Sequence, residues 1–310
     1  MGVDPVLFVG AFTQDTLYSV ESFAAGASKY FAKERVCQAA GMATTAATAA
    51  ARLGGKAALW ASLGDDPLGD SMLAEIEAEG VDCRHVRRVA GGRSASATII
   101  VDSVGERWVI VDYDPVTQED PVAETSPSFE QFSAVLADTR WPGAARLALL
   151  AARDAGRPAI LDADVAAPEV LLDLASCATH IVASLAGAAI LSETSEIETA
   201  ATTIRDRFGC FTCITNGAAG TVWTAPGCDL HSISPPKIKA VDTNAAGDVF
   251  HGAFTLALAE GQCETQAIRF ASAAAALKCT VAGGRFGAPN REETLALKNV
   301  TYTSQFPRLL

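Results

Sequence analysis

The residues whose types and spacing could do chemistry lie in one run, Val241-Asp242-Thr243-Asn244-Ala245-Ala246-Gly247-Asp248-Val249-Phe250-His251-Gly252-Ala253-Phe254. Small residues lead into two apolar columns, Val249/Ala253/Ala257 and Phe250/Phe254/Leu258, so a helix is expected to begin near Ala246. The first turn of such a helix offers free backbone N–H groups and the positive end of its dipole, and small side chains let an anion approach closely. Asp248 falls in that turn. It could simply complement the dipole while Asp242 or Thr243 caps the turn, an arrangement worth about 0.3–1 kcal/mol. A carboxylate beside an anion hole is electrostatically awkward unless it serves as a base. With a γ-phosphate on the amides and a hydroxyl between, Asp248 could take the hydroxyl proton while the amides stabilise charge on the transferring group.

Other chemistry is poorly supported. The eight cysteines are scattered through 310 residues, as expected of free thiols. Cys210 and Cys213 form a lone CxxC, but CFTCITNG reads as a strand, where residues three apart face opposite sides. The four histidines have no ligand spacing, so no protein-held metal site is expected. A net charge of -12 gives no positive field for nucleic acid or anionic lipid, and no apolar run has the length of a membrane span. A soluble, cytoplasmic protein is expected.

These residues must be held by a scaffold, and the chain is 49% hydrophobic, enough for a large α/β core. Val6 to Phe12 reads as a buried strand, Met42 to Leu53 as an Ala-rich helix, Leu59 to Leu63 as a strand, and DPLGDSMLAEIEAEG as a helix with Pro67 in its first turn. Strand and helix candidates then alternate: Ala134 to Asp138, Ala144 to Ala155, Ala159 to Asp162, Val170 to Leu174, His180 to Ala183, Glu196 to Phe208 and Phe211 to Thr215. That alternation predicts a mostly parallel sheet with helices on both faces. Two regions, about 14–38 and 92–114, break the pattern. SASATIIVDSVGERWVIVDYD reads as two strands around a turn at Val104-Gly105, and with the first region it could form a small antiparallel sheet, either a lid or a plain edge hairpin. One domain over 1–310 with an inserted lid is expected.

The run from Asp242 to Thr255 resembles the C-terminal DTxGAGD signature of the ribokinase-like (PfkB-type) carbohydrate kinases, and Gln38-Ala39-Ala40-Gly41 through Arg52-Leu53-Gly54 resembles their N-terminal glycine signature. Gly10 with Asp15 is similar to the family's first strand and sugar-binding aspartate, and Thr215-Asn216-Gly217-Ala218-Ala219-Gly220 to its nucleotide-binding turn. The resemblance implies a three-layer α/β/α sandwich with a small β lid, often a homodimer clasp, and ATP across the strand ends. It implies Asp248 as base and the amides of Ala245, Ala246 and Gly247 as anion hole. Asp15 and Gly41 would hold sugar hydroxyls, and Thr215, Gly217 and Gly220 would lie along the nucleotide. Mg²⁺ would be held mainly by phosphates and water, and K⁺ is a candidate activator.

The departures also count. Ala245 replaces the first glycine of GAGD, which a negative φ would make tolerable. Ala40 replaces a glycine on the sugar side, and Thr45 stands where many members have asparagine. Where the magnesium-ordering NxxE motif should fall, the chain reads Ser184-Leu185-Ala186-Gly187. Ser28-Lys29-Tyr30, Leu136 to Trp141, Leu161 to Asp164, Asp248 to Ala253 and Ala276 to Pro289 look closest to sulfofructose kinases, which phosphorylate the 1-hydroxyl of 6-deoxy-6-sulfofructose. That likeness implies Lys29 and Arg140 at the sulfonate. Asp112 opposes it, because a carboxylate at this lid position repels a sulfonate unless it is turned away or paired with Lys29 or Arg140. The competing readings are a kinase for fructose, a sugar phosphate, a sugar acid or a nucleoside, and a non-catalytic sugar- or nucleotide-binding regulator. A dinucleotide oxidoreductase lacks its GxGxxG, and a Walker-type kinase its GxxxxGK[ST].

Overall fold

Alternate residues of the first strand enter two different cores: Val6 and Phe8 pack on one side of a sheet, Leu7 and Val9 on the other. A strand buried on both faces must lie inside a sheet covered twice. The computed structural model describes residues 4–23, 29–103, 107–121 and 126–302. In chain order its elements begin β1 (Val6–Gly10), β2 (Thr13–Ser19), β3 (Glu34–Ala40), α1 (Met42–Arg52), β4 (Ala57–Gly64), α2 (Pro67–Ala78), β5 (Arg87–Val89), β6 (Ser96–Val101) and β7 (Arg107–Asp112). They continue with β8 (Ala134–Ala137), α3 (Pro142–Asp154), β9 (Ala159–Ala163), α4 (Pro168–Ala175), β10 (His180–Ser184), α5 (Leu185–Ser192), α6 (Ile197–Phe208) and β11 (Phe211–Thr215). The last are β12 (Thr221–Thr224), β13 (His231–Ile233), α7 (Ala246–Ala259), α8 (Glu264–Cys279) and α9 (Arg291–Tyr302).

Nine strands form one sheet in the order β13-β12-β11-β10-β9-β8-β1-β4-β5, parallel from β11 to β5 with antiparallel β12 and β13 at one edge. Helices α1, α2, α7 and α8 supply one core, and α3 to α6 the other. The alternation expected from the sequence is thus realised, and Cys210 and Cys213 do lie in opposite cores. The Ala-rich face of α1 lets α7 come close: a side chain at Gly252 would meet the Ala46 carbonyl at 2.2 Å. Among the described residues, no helix is long and apolar enough to cross a membrane.

The second sheet has the order β3-β2-β6-β7. Its outer pairs are antiparallel as expected, and its central pair, β2 with β6, is parallel. The turn at Val104-Gly105 lies outside the described residues, as does Ser28.

The chain winds from β1 toward β5 and then from β8 toward β13, so β1 and β8 flank a topological switch point, where α/β sheets open a crevice at their carboxyl ends. Asp138, just after β8, closes this crevice from below. Its Oδ2 accepts the N–H of Ala11 at 2.8 Å and of Ala43 at 3.0 Å, and its Oδ1 accepts that of Arg140 at 2.8 Å. Gly10, at φ +142°, is required here, because a Cβ would lie 2.1 Å from Asp138 Oδ1. Removing one acceptor from a buried donor costs about 1–3 kcal/mol, so Asp138→Ala should lower unfolding free energy by about 2–4 kcal/mol. Urea unfolding at neutral pH checks this, and Asp138→Asn, which keeps one acceptor oxygen, should lose less.

Candidate active site

Helix α7 starts where the sequence placed it, and no side chain caps it. Asp242 does not cap the helix; its Oδ1 accepts the Asn244 N–H at 2.8 Å and so shapes the preceding loop. Ala246 and Gly247 line a cavity of about 670 Å³ together with Thr215, Gly217 and Gly220. A side chain at Gly247 would meet nothing within 4 Å, so open space lies beside that amide. The Thr215–Gly220 turn is closed by Asn216 N–H to the Gly220 carbonyl at 2.8 Å. Gly220, at φ +104°, has no room for a Cβ, which would meet the Ile233 carbonyl at 2.3 Å.

Ala245 does not meet the condition under which its methyl would be free of strain. Its φ is +63°, in the left-handed region, not negative. The turn into α7 needs that conformation whichever residue occupies it, so the methyl group costs strain of about 1 kcal/mol relative to glycine.

Carboxylates gather at the adjacent strand ends. Asp248 is partly exposed, and burial of its carboxyl, followed by the charge of Asp162, raises its pKa well above the usual carboxylate value. Asp162, at the end of β9, is shifted the same way by burial and then by Asp138 and Asp164. Its Oδ2 is buried without a partner, and its Oδ1 lies 3.4 Å from Nε2 of His251. His251 is buried one turn beyond Asp248. Its Nδ1 is 2.8 Å from the Gly247 carbonyl and its Nε2 3.2 Å from the Val182 carbonyl, so the ring packs between the first turn of α7 and β10, and its single N–H in the neutral form can donate to one of the two. Burial lowers the pKa of His251, favouring the neutral ring.

On the other side of the crevice, Asp15 sits on β2 with the Thr13 hydroxyl donating to it at 2.8 Å, and burial raises its pKa to about 6. Gly41 precedes α1 at φ +111°, where a Cβ would meet the Ala11 carbonyl at 2.4 Å. Tyr113, just beyond β7, shares a niche with Gly10, Ala11, Gln118 and Arg140. Burial pushes its pKa up to about 12, Asp138 and Asp15 push the same way, and Arg140 opposes them, so the chain leaving β7 comes close to Asp138 and Asp15. Arg140 donates from Nη1 to the Val165 carbonyl at 3.0 Å and forms no ion pair among the described residues. Asp112 is paired with Arg93 at 3.2 Å and is 59% exposed, rather than paired with Lys29 or Arg140. Lys29 is exposed and forms no hydrogen bond or ion pair among the described residues. Asp112, Lys29 and Arg140 are therefore not joined by contact.

A family model for the pfkB family carbohydrate kinases matches residues 4–291. The chain belongs to that family. It is 28% identical over 295 residues to a ribokinase of Haemophilus influenzae, spanning 93% of this chain and 96% of that one. A provisionally named ribokinase of Agrobacterium tumefaciens has 42% identity and a TM-score of 0.93, covering 98% of this chain and 100% of its own. An Arabidopsis thaliana ribokinase, solved with ribose and ATP, shares the fold at a TM-score of 0.83 and 22% identity, covering 99% and 100%. As a pfkB-family member the chain is an ATP-dependent carbohydrate kinase with the ribokinase-like fold. This sets aside the non-catalytic regulator.

Sequence reasoning missed Asp138, Asp162, His251 and Tyr113 as parts of this site. Asp162 and His251 lie in the runs Leu161 to Asp164 and Asp248 to Ala253, but nothing in the spacing says that they meet. If Asp248 is the base, it works only when ionised, so its raised pKa should place the acid limb of kcat/KM above the ordinary carboxylate value of about 4. Asp248→Asn should lower kcat about 10²–10⁴-fold. The same variant should melt at a higher temperature at neutral pH. A carboxyl whose pKa is raised by folding favours the fold at low pH, and that advantage is lost as pH rises through the raised value. Steady-state kinetics against pH and a melting curve check both, and near-normal turnover would remove Asp248 from the role.

Proposed function

We propose that the protein transfers the γ-phosphate of ATP to a primary hydroxyl of a ketose-type sugar, with 6-deoxy-6-sulfofructose as the favoured substrate. One observation carries the reaction: a carboxylate in the first turn of an uncapped helix, beside a large cavity lined by that turn and by Thr215, Gly217 and Gly220. The nucleotide lies in that cavity with its γ-phosphate toward the amides of Ala245, Ala246 and Gly247, the Ala246 N–H being shared with the Thr243 carbonyl at 3.3 Å. The sugar lies on the opposite side, held by Asp15 and Gly41. Its hydroxyl oxygen attacks the γ-phosphorus as the bond to the β,γ-bridging oxygen breaks, and the hydroxyl proton passes to Asp248. ADP and the sugar phosphate leave.

Magnesium, implied by the family, would supply positive charge to offset that of the phosphates. Among the described residues no group of three or more His, Cys, Asp or Glu could hold a metal ion, so the ion comes in with the nucleotide. The side-chain oxygens on hand are those of Asp164 and Ser184, joined at 2.9 Å. The glutamate of the NxxE motif has no room: a Cβ at Gly187 would lie 1.9 Å from the Ala163 carbonyl. Gly187→Glu should therefore destabilise the protein without tightening its apparent Mg²⁺ affinity, measured by metal titration of the rate beside a melting curve.

Arg140 supports an anionic substrate. Its guanidinium borders the sugar-side niche without a carboxylate partner, which counters the view that it is a structural ion pair. Asp112, held by Arg93, is also less of an obstacle than the sequence suggested. A second reading, ribose as substrate, is favoured by the ribokinase relatives. A panel of 6-deoxy-6-sulfofructose, fructose, fructose 6-phosphate and ribose with Mg-ATP separates the two. Arg140→Ala should raise KM about 10-fold or more for the sulfonated sugar and leave a neutral sugar nearly unchanged, as expected for loss of a charge-assisted hydrogen bond. Equal effects would make Arg140 structural.

The second sheet serves as the lid and as a homodimer clasp. Trp108, Val109, Ile110 and Val111 of β7 are 46–66% exposed on successive residues, so both faces of this strand carry solvent-exposed apolar side chains, with Trp108 stacked on Phe23. A second copy of the same sheet covers such a surface. Sedimentation velocity should give a dimer for the wild type and a monomer for Ile110→Asp; a wild-type monomer would defeat the clasp.

A further inference from the structure

Lys278 is fully buried at the last turn of α8, and its ammonium lies behind the anion-hole loop. Nζ donates to the Asp242 carbonyl at 2.8 Å and to Asp242 Oδ2 at 3.0 Å. The same Oδ2 accepts the N–H groups of Gly283 and Gly284, both at 3.0 Å, and Oδ1 accepts that of Asn244. Burial works against the Asp242 carboxylate, but the Gly284 and Asn244 N–H groups and Lys278 hold its pKa below the ordinary value, so it is ionised. The end of α8 also receives the loop directly, since the Cys279 carbonyl accepts the N–H of Val241 at 2.7 Å.

An anion hole built from a loop has a rear face. Where amides point forward to a phosphate, a carboxylate and a carbonyl pointing backward would repel that phosphate and leave their own charge unanswered in a buried place. A positive charge behind the loop removes both problems. A diffusible K⁺ would need oxygen atoms there, and the carboxylate and carbonyl that Asp242 turns backward are already taken by the ammonium.

We propose that Lys278 is a covalently tethered monovalent cation that positions the anion-hole loop from behind, so that this kinase needs no K⁺. The inference rests on the reading of residues 245–247 as the anion hole. Lys278 acts through the loop, as a positioning residue.

The experiment compares wild type, Lys278→Ala and Lys278→Arg in buffers whose only monovalent cation is K⁺, Na⁺, ammonium or tetramethylammonium, by Mg-ATP turnover with the accepted sugar and by thermal melting. Wild type should turn over within about twofold, and melt at the same temperature, in all four. Lys278→Ala should lose about 10- to 100-fold in kcat, the scale of a small misplacement at a reacting centre. Ammonium or K⁺ should restore much of that loss and raise the melting temperature of the variant, while tetramethylammonium, too large for the vacated space, does neither. Lys278→Arg should fall between. Strong K⁺ activation of the wild type overturns the proposal, as does a folded Lys278→Ala enzyme that keeps its rate or that no cation rescues. If Lys278→Ala does not fold alone, ammonium or K⁺ during refolding should recover it, and failure to do so overturns the proposal equally. Asp248→Asn, run beside these, separates the two readings: normal turnover there would remove the base, while the cation-dependent melting of Lys278→Ala would still stand or fall by itself.

Discussion

One buried carboxylate, Asp138, fastens together three parts of the chain where the sheet opens. It accepts N–H groups from the end of β1, the start of α1 and the residue after next in its own loop. A sheet opened at its switch point leaves backbone donors pointing into a crevice, and burying them unpaired costs more than most side-chain contacts return. Asp138 answers them, and the geometry that results sets Gly10, Ala11 and Arg140 around one small space. This end of the crevice is therefore a consequence of satisfying backbone polarity before it is anything chemical.

The crevice carries an electrostatic cost. Asp138, Asp162 and Asp248 all have pKa values raised first by burial, and Asp162 and Asp248 are raised further by their acidic neighbours. A fold selected only for stability would not collect acids in one place, and such collections mark sites where protonation matters. His251 gives the cluster a fixed back wall. Lying between the Gly247 and Val182 carbonyls, the buried ring packs the first turn of α7 against the sheet, so that Asp248 sits on a packed helix and not on a flexible loop.

The layered sheet was legible in the chain because its signal is local: apolar runs of strand length alternate with helical periods, and each predicts itself. The helix start at Ala246 was legible for the same reason. What could not be read was encounter. Asp162 and His251 are 89 positions apart in sequence and Lys278 lies 36 beyond Asp242, and no periodicity reports that such pairs touch. The sign of φ at Ala245 was not legible because residue identity does not report turn geometry: the loop holds a left-handed residue there, and alanine bears the strain. The parallel pairing of β2 with β6 escaped similarly, since the hairpin pattern of β6 and β7 says nothing about which neighbour β6 meets on its other side.

The apolar strand β7 has a consequence for the protein as a material. An uncovered strand at the end of a sheet is a template for any other extended chain, and this one has neither a proline nor a lysine within Arg107–Asp112 to blunt it. Where mass action keeps a matching copy on that edge, the template is masked; on dilution it is laid bare. Dilute stocks, nascent chains and partly unfolded molecules would then be the most adhesive states of this protein, and crowded solution the most benign, the reverse of ordinary colloidal behaviour.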